Sequence, residues 1–166
     1  MKIIVANVIG FCAFIYSLLA YHKKTKNKIF QNMIISNFLN LVHYILLGAY
    51  SGGITKILAI LRDTIIIKKE KYTKLLSNFV LGIFLIIYII SGIFTYTNIW
   101  SIFCVLAAVI YIIKVWNGDE KTVKETAFFC YFLWLIYNVS VYSVAGIVSN
   151  VVSIISTFIA MKNTEK

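Results

Sequence analysis

The chain has 166 residues, of which 61% are hydrophobic and only 13% charged, with a net charge of +10 and a mean hydropathy of +0.89. That leaves too little polar surface to cover a water-soluble globule, so a soluble enzyme or binding domain is excluded and an integral membrane protein is indicated. Nor does the positive charge point to nucleic acid: all Lys and Arg except Lys2, Lys56 and Arg62 lie in, beside or beyond connections between apolar runs, where orientation and anionic headgroups account for them.

In chain order the apolar runs are about Ile3 to Tyr21, Ile29 to Tyr50, Gly53 to Ile67, Leu75 to Thr95, Ile99 to Trp116, Thr126 to Tyr142 and Ala145 to Met161. A spanning helix needs about 20 apolar residues, and all but the third run meet the usual range or come within a residue. The third is expected to begin earlier, to tilt little or to thin the bilayer locally. The runs are apolar all round and lack the ~10-residue alternation of a barrel strand, so helices are predicted. The first run lacks a convincing cleavage site and is followed rather than preceded by lysines, so it is read as a retained span and not a signal peptide.

The connections alternate. Lys23, Lys24, Lys26 and Lys28 follow the first run, Lys68, Lys69, Lys71 and Lys74 the third, Lys121 and Lys124 the fifth with Lys114 just before them, and Lys162 and Lys166 the seventh. Ser51-Gly52, Thr95 to Asn98 and Ser143-Val144 carry no charge. Basic loops collect on the cytoplasmic side, so the pattern predicts an outside N-terminus and a cytoplasmic C-terminus. Cys12, Cys104 and Cys130 lie in different runs without paired spacing and are expected to be buried free thiols, with no disulfide, metal or cofactor.

Runs one to three share a loop plan with runs five to seven: a long basic first connection and a very short second one. Ile15-Tyr16 matches Ile110-Tyr111 after a shift of 95, and Leu39, Leu41 and Gly53-Ile54 match Leu133, Leu135 and Gly146-Ile147 after shifts of 94 and 93. The intervening span turns the second unit back to the orientation of the first, so the predicted fold is an all-α membrane protein of seven transmembrane helices. Its parallel three-helix repeats, 1–71 and 97–166, are joined by a linker helix within 72–96 to make one integral membrane domain. Glycine tolerates positive φ, so Ser51-Gly52-Gly53 and Val144-Ala145-Gly146 are predicted to form the sharp reversals. Proline is absent.

The stretch Val42 to Arg62, VHYILLGAYSGGITKILAILR, and the segment Trp134 to Asn138, WLIYN, resemble the YgjV-type bacterial inner membrane proteins in order and spacing over nearly the whole chain. The resemblance implies an inner-membrane location and carries no established biochemical activity. More remotely, the three-plus-one-plus-three plan is similar to that of SWEET and PQ-loop carriers and of PnuC-type nicotinamide riboside transporters. The Pro-Gln pair of the PQ-loop group is missing, so that likeness concerns the fold alone.

Charge inside a bilayer is costly, on the order of 2.5 to 3.5 kcal/mol per group at a helix centre, so the charges of run three need a reason. Counting from Gly53, Arg62 and Asp63 lie roughly 13 to 15 Å deep, near the midplane. Arg62 leans away from cytoplasmic water and is expected to find an internal partner, either locking the bundle or anchoring an anionic solute. Asp63 points about 100° away around the helix and need not pair with it; it is a counter-ion for Lys56 or Arg62, or a proton-coupling group. Lys56, near the outer surface, is expected to snorkel.

Run two places Ser36, Asn40 and His43 on one stripe flanked by Asn37 and Tyr44, and run six offers Tyr131, Trp134, Tyr137 and Asn138 opposite. Such faces turn away from lipid, either to join helices or to line a path for a sugar, base or amino acid. Run seven adds Ser149, Ser153 and Ser156, suited to close packing, with Asn150 as a candidate ligand group. His22 and His43 lie apart, and no metal-binding pair, nucleophile motif or phosphate loop is present, so no enzymatic activity is expected.

The sequence therefore predicts a small-solute carrier working by alternating access, with a homodimer possible. Its candidate binding residues are Asn37, Asn40, His43, Arg62, Asp63, Trp134, Tyr137, Asn138 and Asn150. The competing expectation is a non-transporting assembly protein whose polar residues only fix helix packing.

Overall fold

The computed structural model describes residues 1–69 and 74–164, without the side chains of 74–76 and 160–164. Lys71, Lys166 and the expected junction between repeat one and the linker helix lie outside the described residues. Among those described, every regular element is a helix: α1 (Lys2–Tyr21), α2 (Lys26–Leu47), α3 (Tyr50–Lys68), α4 (Lys74–Phe94), α5 (Ser101–Asn117), α6 (Glu120–Ser140) and α7 (Val144–Thr164). α1, α2 and the described part of α4, Ser77–Phe94, are each long and apolar enough to cross a membrane.

α1 packs against α2 and α7, α2 against α3, α3 against α5, α5 against α6, and α6 against α7. These contacts close six helices into a ring, with α4 outside it against α3 and α5. Apolar surface faces outward: Ile4, Val8, Phe11, Ile15 and Leu19 on α1 and Phe79, Ile86, Ile90 and Ile93 on α4 are exposed. A water-soluble domain would hide such stripes; lipid solvates them. Cys104 and Cys130 are buried, whereas Cys12 is exposed on the apolar face of α1, contrary to the expectation that all three thiols are interior.

With lipid outside, tight association depends on close packing and interhelical hydrogen bonds rather than on the hydrophobic effect. α1 meets this with an inward stripe of small residues, Ala6, Gly10, Ala13, Ser17 and Ala20. At Gly10 a Cβ would lie 2.7 Å from the Ala145 Cβ and 2.9 Å from His43 Nδ1, so only glycine lets α1, α2 and α7 converge there.

The charge-poor connections gather at one end, and the described parts of the basic ones at the other. At the first end the Ala145 amide donates to Asn7 Oδ1 at 3.0 Å, and the Ser51 hydroxyl donates to the Thr95 carbonyl. At the second, Lys26 Nζ donates to the carbonyls of Val115 (2.8 Å) and Gly118 (2.5 Å), and Lys69 Nζ to the carbonyl of Trp116 (2.5 Å) and to Asn117 Oδ1. The last carbonyls of α5 have no helical partner, so two lysines of the basic loops cap that terminus instead of serving headgroups. Burial beside Trp116 lowers the pKa of Lys69 from the ordinary lysine value. Trp116 is fully buried there and its indole N–H donates to Ser77 Oγ at 3.0 Å.

α2 ends at Gly48, whose φ of +71° is the left-handed conformation a helix stop requires, with the Ala49 amide closing back to the Tyr44 carbonyl at 2.9 Å. The α6–α7 reversal uses Tyr142 at φ +53°. The reversals therefore precede the segments expected to make them: Ser51-Gly52-Gly53 and Val144-Ala145-Gly146 lie in the first turns of α3 and α7. Their glycines serve close approach. A Cβ at Gly52 would lie 2.9 Å from the Tyr137 ring, and one at Gly146 2.5 Å from Asn138 Cγ. α6 also begins earlier than its apolar run, because Asp119 accepts from the amide and hydroxyl of Thr122 at 2.9 and 2.8 Å and caps a polar first turn. Those two bonds hold the Asp119 carboxyl below its ordinary pKa.

Candidate functional site

α3 carries charge into the ring. Asp63 is fully buried; its Oδ1 accepts from Arg62 Nε at 2.8 Å and Nη2 at 2.7 Å, and its Oδ2 accepts from Asn37 Nδ2 at 3.1 Å. Adjacent residues on a helix diverge by about 100°, so pairing was not required; of the two counter-ions the sequence offered for Asp63, Lys56 and Arg62, the structure gives Arg62. The long arginine stem covers that angle, and the guanidinium lies 4.6 Å from the Tyr111 ring centroid. In a low dielectric each charge requires the other, so the ion pair with Asn37 forms one unit joining α2 and α3.

Lys56, one face up the same helix, does not snorkel. Its ammonium lies 3.8 Å from the centroid of the Trp134 ring on α6, and among the described residues no carboxylate is within salt-bridge distance. Trp134 stacks on Tyr44 with centroids 6.0 Å apart and meets Tyr137 edge-on at 5.8 Å, so an aromatic wall from α2 and α6 stands behind the ammonium.

Between these groups lies a cavity of about 100 Å³ bordered by α1, α2, α3, α5, α6 and α7. Of the residues singled out in the sequence, Asn37, Asn40, Arg62, Trp134, Asn138 and Asn150 line it. Asn150 is 6% exposed and its Nδ2 has no hydrogen-bond partner, so this donor is buried on the cavity wall with its capacity unspent. Lys56, expected to snorkel, also lines it, as does Tyr111, which was not considered for the site. A signal for Lys56 was present: it lies two turns before Asp63 on one helix face, a poor place for a snorkelling residue.

His43, Asp63 and Tyr137 do not line the cavity; they hold its surroundings. A carbonyl can only accept, so the 2.7 Å contact to Ala6 O puts the proton of neutral His43 on Nδ1, and Nε2 accepts from the Ser143 hydroxyl at 2.7 Å. Ser143 Oγ in turn accepts from the Gly146 amide at 3.1 Å. Tyr137, from α6, accepts from the Gly52 amide at 2.8 Å, and the Tyr44 hydroxyl donates to Asn138 Oδ1 at 2.8 Å. Thus α2 grips the α6–α7 turn and α6 grips the start of α3, closing the charge-poor end above the cavity.

At the basic end the floor is apolar and aromatic. Tyr21 on α1 meets Tyr131 on α6 edge-on at 6.0 Å, and Ile29, Phe30, Ile112, Val115, Trp116 and Val123 are fully buried below. No cluster of three or more metal-ligating side chains occurs among the described residues.

An all-helical bundle with lipid-facing apolar stripes and a charged, polar centre shared by six helices is the construction of an integral membrane protein with an interior site. The chain belongs to the Imp-YgjV family, described as bacterial inner membrane protein, whose model matches residues 4–166. That span includes the VHYILLGAYSGG and WLIYN segments that carry the resemblance, and it places the protein in the bacterial inner membrane. No curated protein and no solved structure matches the chain.

Proposed function

We propose that this protein is a carrier for a small polar solute, working by alternating access, and that it is not an enzyme. The observation that supports this most is the cavity itself: polar groups from α2 and α3 face polar groups from α6 and α7 across a space bridged at both ends. A protein needing only tight packing has no use for a buried arginine, lysine and unpaired asparagine around one cavity, each costly in a bilayer.

In this reading all seven helices cross the membrane, the N-terminus is outside, and α1–α3 and α5–α7 are parallel repeats joined by α4. The contacts fit an approximate two-fold axis through the ring, since α3 against α5 becomes α7 against α1 when the units exchange. The starts of α3 and α7, Tyr50 and Val144, differ by 94, and the same shift relates Gly52 to Gly146, Tyr44 to Asn138 and His43 to Tyr137. His43 and Tyr137 then play equivalent parts, each reaching from the middle helix of its unit to the tight reversal region of the other. Gly53 and Gly146, matched in the sequence at a shift of 93, fall one residue out of this register. The His43 and Tyr137 contacts form the outer closure, and the lysine caps on α5 with the Tyr21–Tyr131 contact form the inner one. Rocking one unit against the other breaks one closure at a time.

The competing reading is an assembly protein whose interior is purely structural, favoured by the saturation of Asp63 and His43 with internal partners. Uptake into proteoliposomes separates the two. A panel of labelled organic acids, amino acids and nucleosides should include a class that accumulates above protein-free liposomes, with uptake lost in a folded Asn138→Leu variant. Uptake at the protein-free level across the panel, with the protein folded, favours the assembly reading.

A further inference from the structure

We propose that the cavity recognises a small planar oxyanion of single charge, held between Lys56 and Arg62. The inference deepens the carrier reading by naming the chemistry of its solute.

Charge comes first. Two cations, Lys56 and Arg62, line the cavity, and the one acid beside them, Asp63, has both oxygens engaged by Arg62 and Asn37. One positive charge is left over, and its carrier, Lys56, rests on the face of Trp134 rather than on a carboxylate. An aromatic face attracts a cation less strongly than an anion does, and in a water-poor interior the difference favours an anion that takes up the ammonium.

Hydrogen bonding gives the shape. Asp63 occupies the Nε–Nη2 edge of the guanidinium; among the described residues no hydrogen bond of ordinary geometry reaches Nη1, and the Tyr88 hydroxyl, itself without a bond of that geometry, is the protein group that competes for the guanidinium. The edge formed by Nη1 and Nη2 is a planar fork of the kind that matches two oxygens of a carboxylate, nitrate or bicarbonate. Asn150 Nδ2 is the other unspent donor on the wall. These three groups are donors, which suits a ligand end that only accepts.

Volume sets the size. A cavity of about 100 Å³ has room for several waters, since one water needs about 10–15 Å³ on this scale, and so for a small carboxylate with water beside it. An anion such as acetate or nitrate fits that space.

The test uses the purified full chain in detergent at constant ionic strength, with acetate, nitrate and the neutral isostere acetamide as probes. Binding is read from thermal stabilisation and from the emission of Trp134, which loses or shifts the Lys56 ammonium when an anion arrives. Acetate and nitrate should bind about tenfold or more tightly than acetamide, as expected when a charge-assisted contact is gained. The emission change should vanish in Trp134→Phe, which keeps Trp100 and Trp116 as an unchanging background. Lys56→Gln should weaken acetate by about tenfold or more, while Lys56→Arg retains it. Equal affinity for acetate and acetamide, or an unaltered acetate affinity in folded Lys56→Gln, would overturn the anion site. Acetate binding without acetate uptake would leave the anion site standing and remove the carrier. Uptake of a neutral solute without preference for acetate over acetamide would do the reverse.

Discussion

Replacing Asp63 with Ala will destabilise the protein by about 3–5 kcal/mol, because removing one partner of a buried ion pair leaves the other charge uncompensated. Asp63 is the acceptor for both Arg62 and Asn37, so the loss also frees the α2–α3 contact. Arg62→Ala should cost a similar amount, while the double variant Arg62→Met/Asp63→Leu should recover most of it, since two apolar side chains need no partner. Denaturant or thermal unfolding of the detergent-solubilised protein measures the cycle. Additive losses in the double variant would show that Arg62 and Asp63 act independently, against the pairing described above.

His43→Leu is expected to have the second largest effect. The ring joins three elements, donating to Ala6 O and accepting from Ser143, so a leucine removes the second bond of a helical carbonyl and leaves the buried Ser143 hydroxyl proton without its acceptor, at a cost of about 1–3 kcal/mol. Gly10 and Ala145 crowd the same spot, which limits the room for water to replace the lost bonds. Ser143→Ala should cost less, because it leaves the bond to Ala6 intact. Equal stability of His43→Leu and wild type would mean that the charge-poor end is held by packing alone.

Much of the fold is legible in the sequence because lipid imposes a coarse rule: every crossing must be apolar and helical, and basic residues mark alternate connections. The helices accordingly fall on the apolar runs. Their ends do not, since they depend on features that hydropathy does not weigh. The φ of Gly48 and Tyr142 puts each reversal before the glycines that seemed to make it, and the Asp119 cap extends α6 through a polar turn.

Within the site, the residue types were readable and the partnerships were not. Asn37, Asn40, Arg62, Trp134, Asn138 and Asn150 meet at one cavity because each lies on the inward face of its helix. Lys56 was misjudged because a lysine near a helix end is ordinarily drawn to water, whereas Trp134 on the facing helix offers its ring nearer at hand. His43 and Tyr137 were open to two readings, joining helices or lining a path; the reversals they hold come from remote parts of the chain, and no local spacing shows where those reversals pass.

The most direct test of alternating access is the reach of a membrane-impermeant thiol reagent into the cavity. With Cys12, Cys104 and Cys130 replaced and Asn40→Cys as the single thiol, the account predicts labelling both in right-side-out and in inverted vesicles, since the cavity opens to each side in turn. Labelling from neither side, or from one side only, would contradict it.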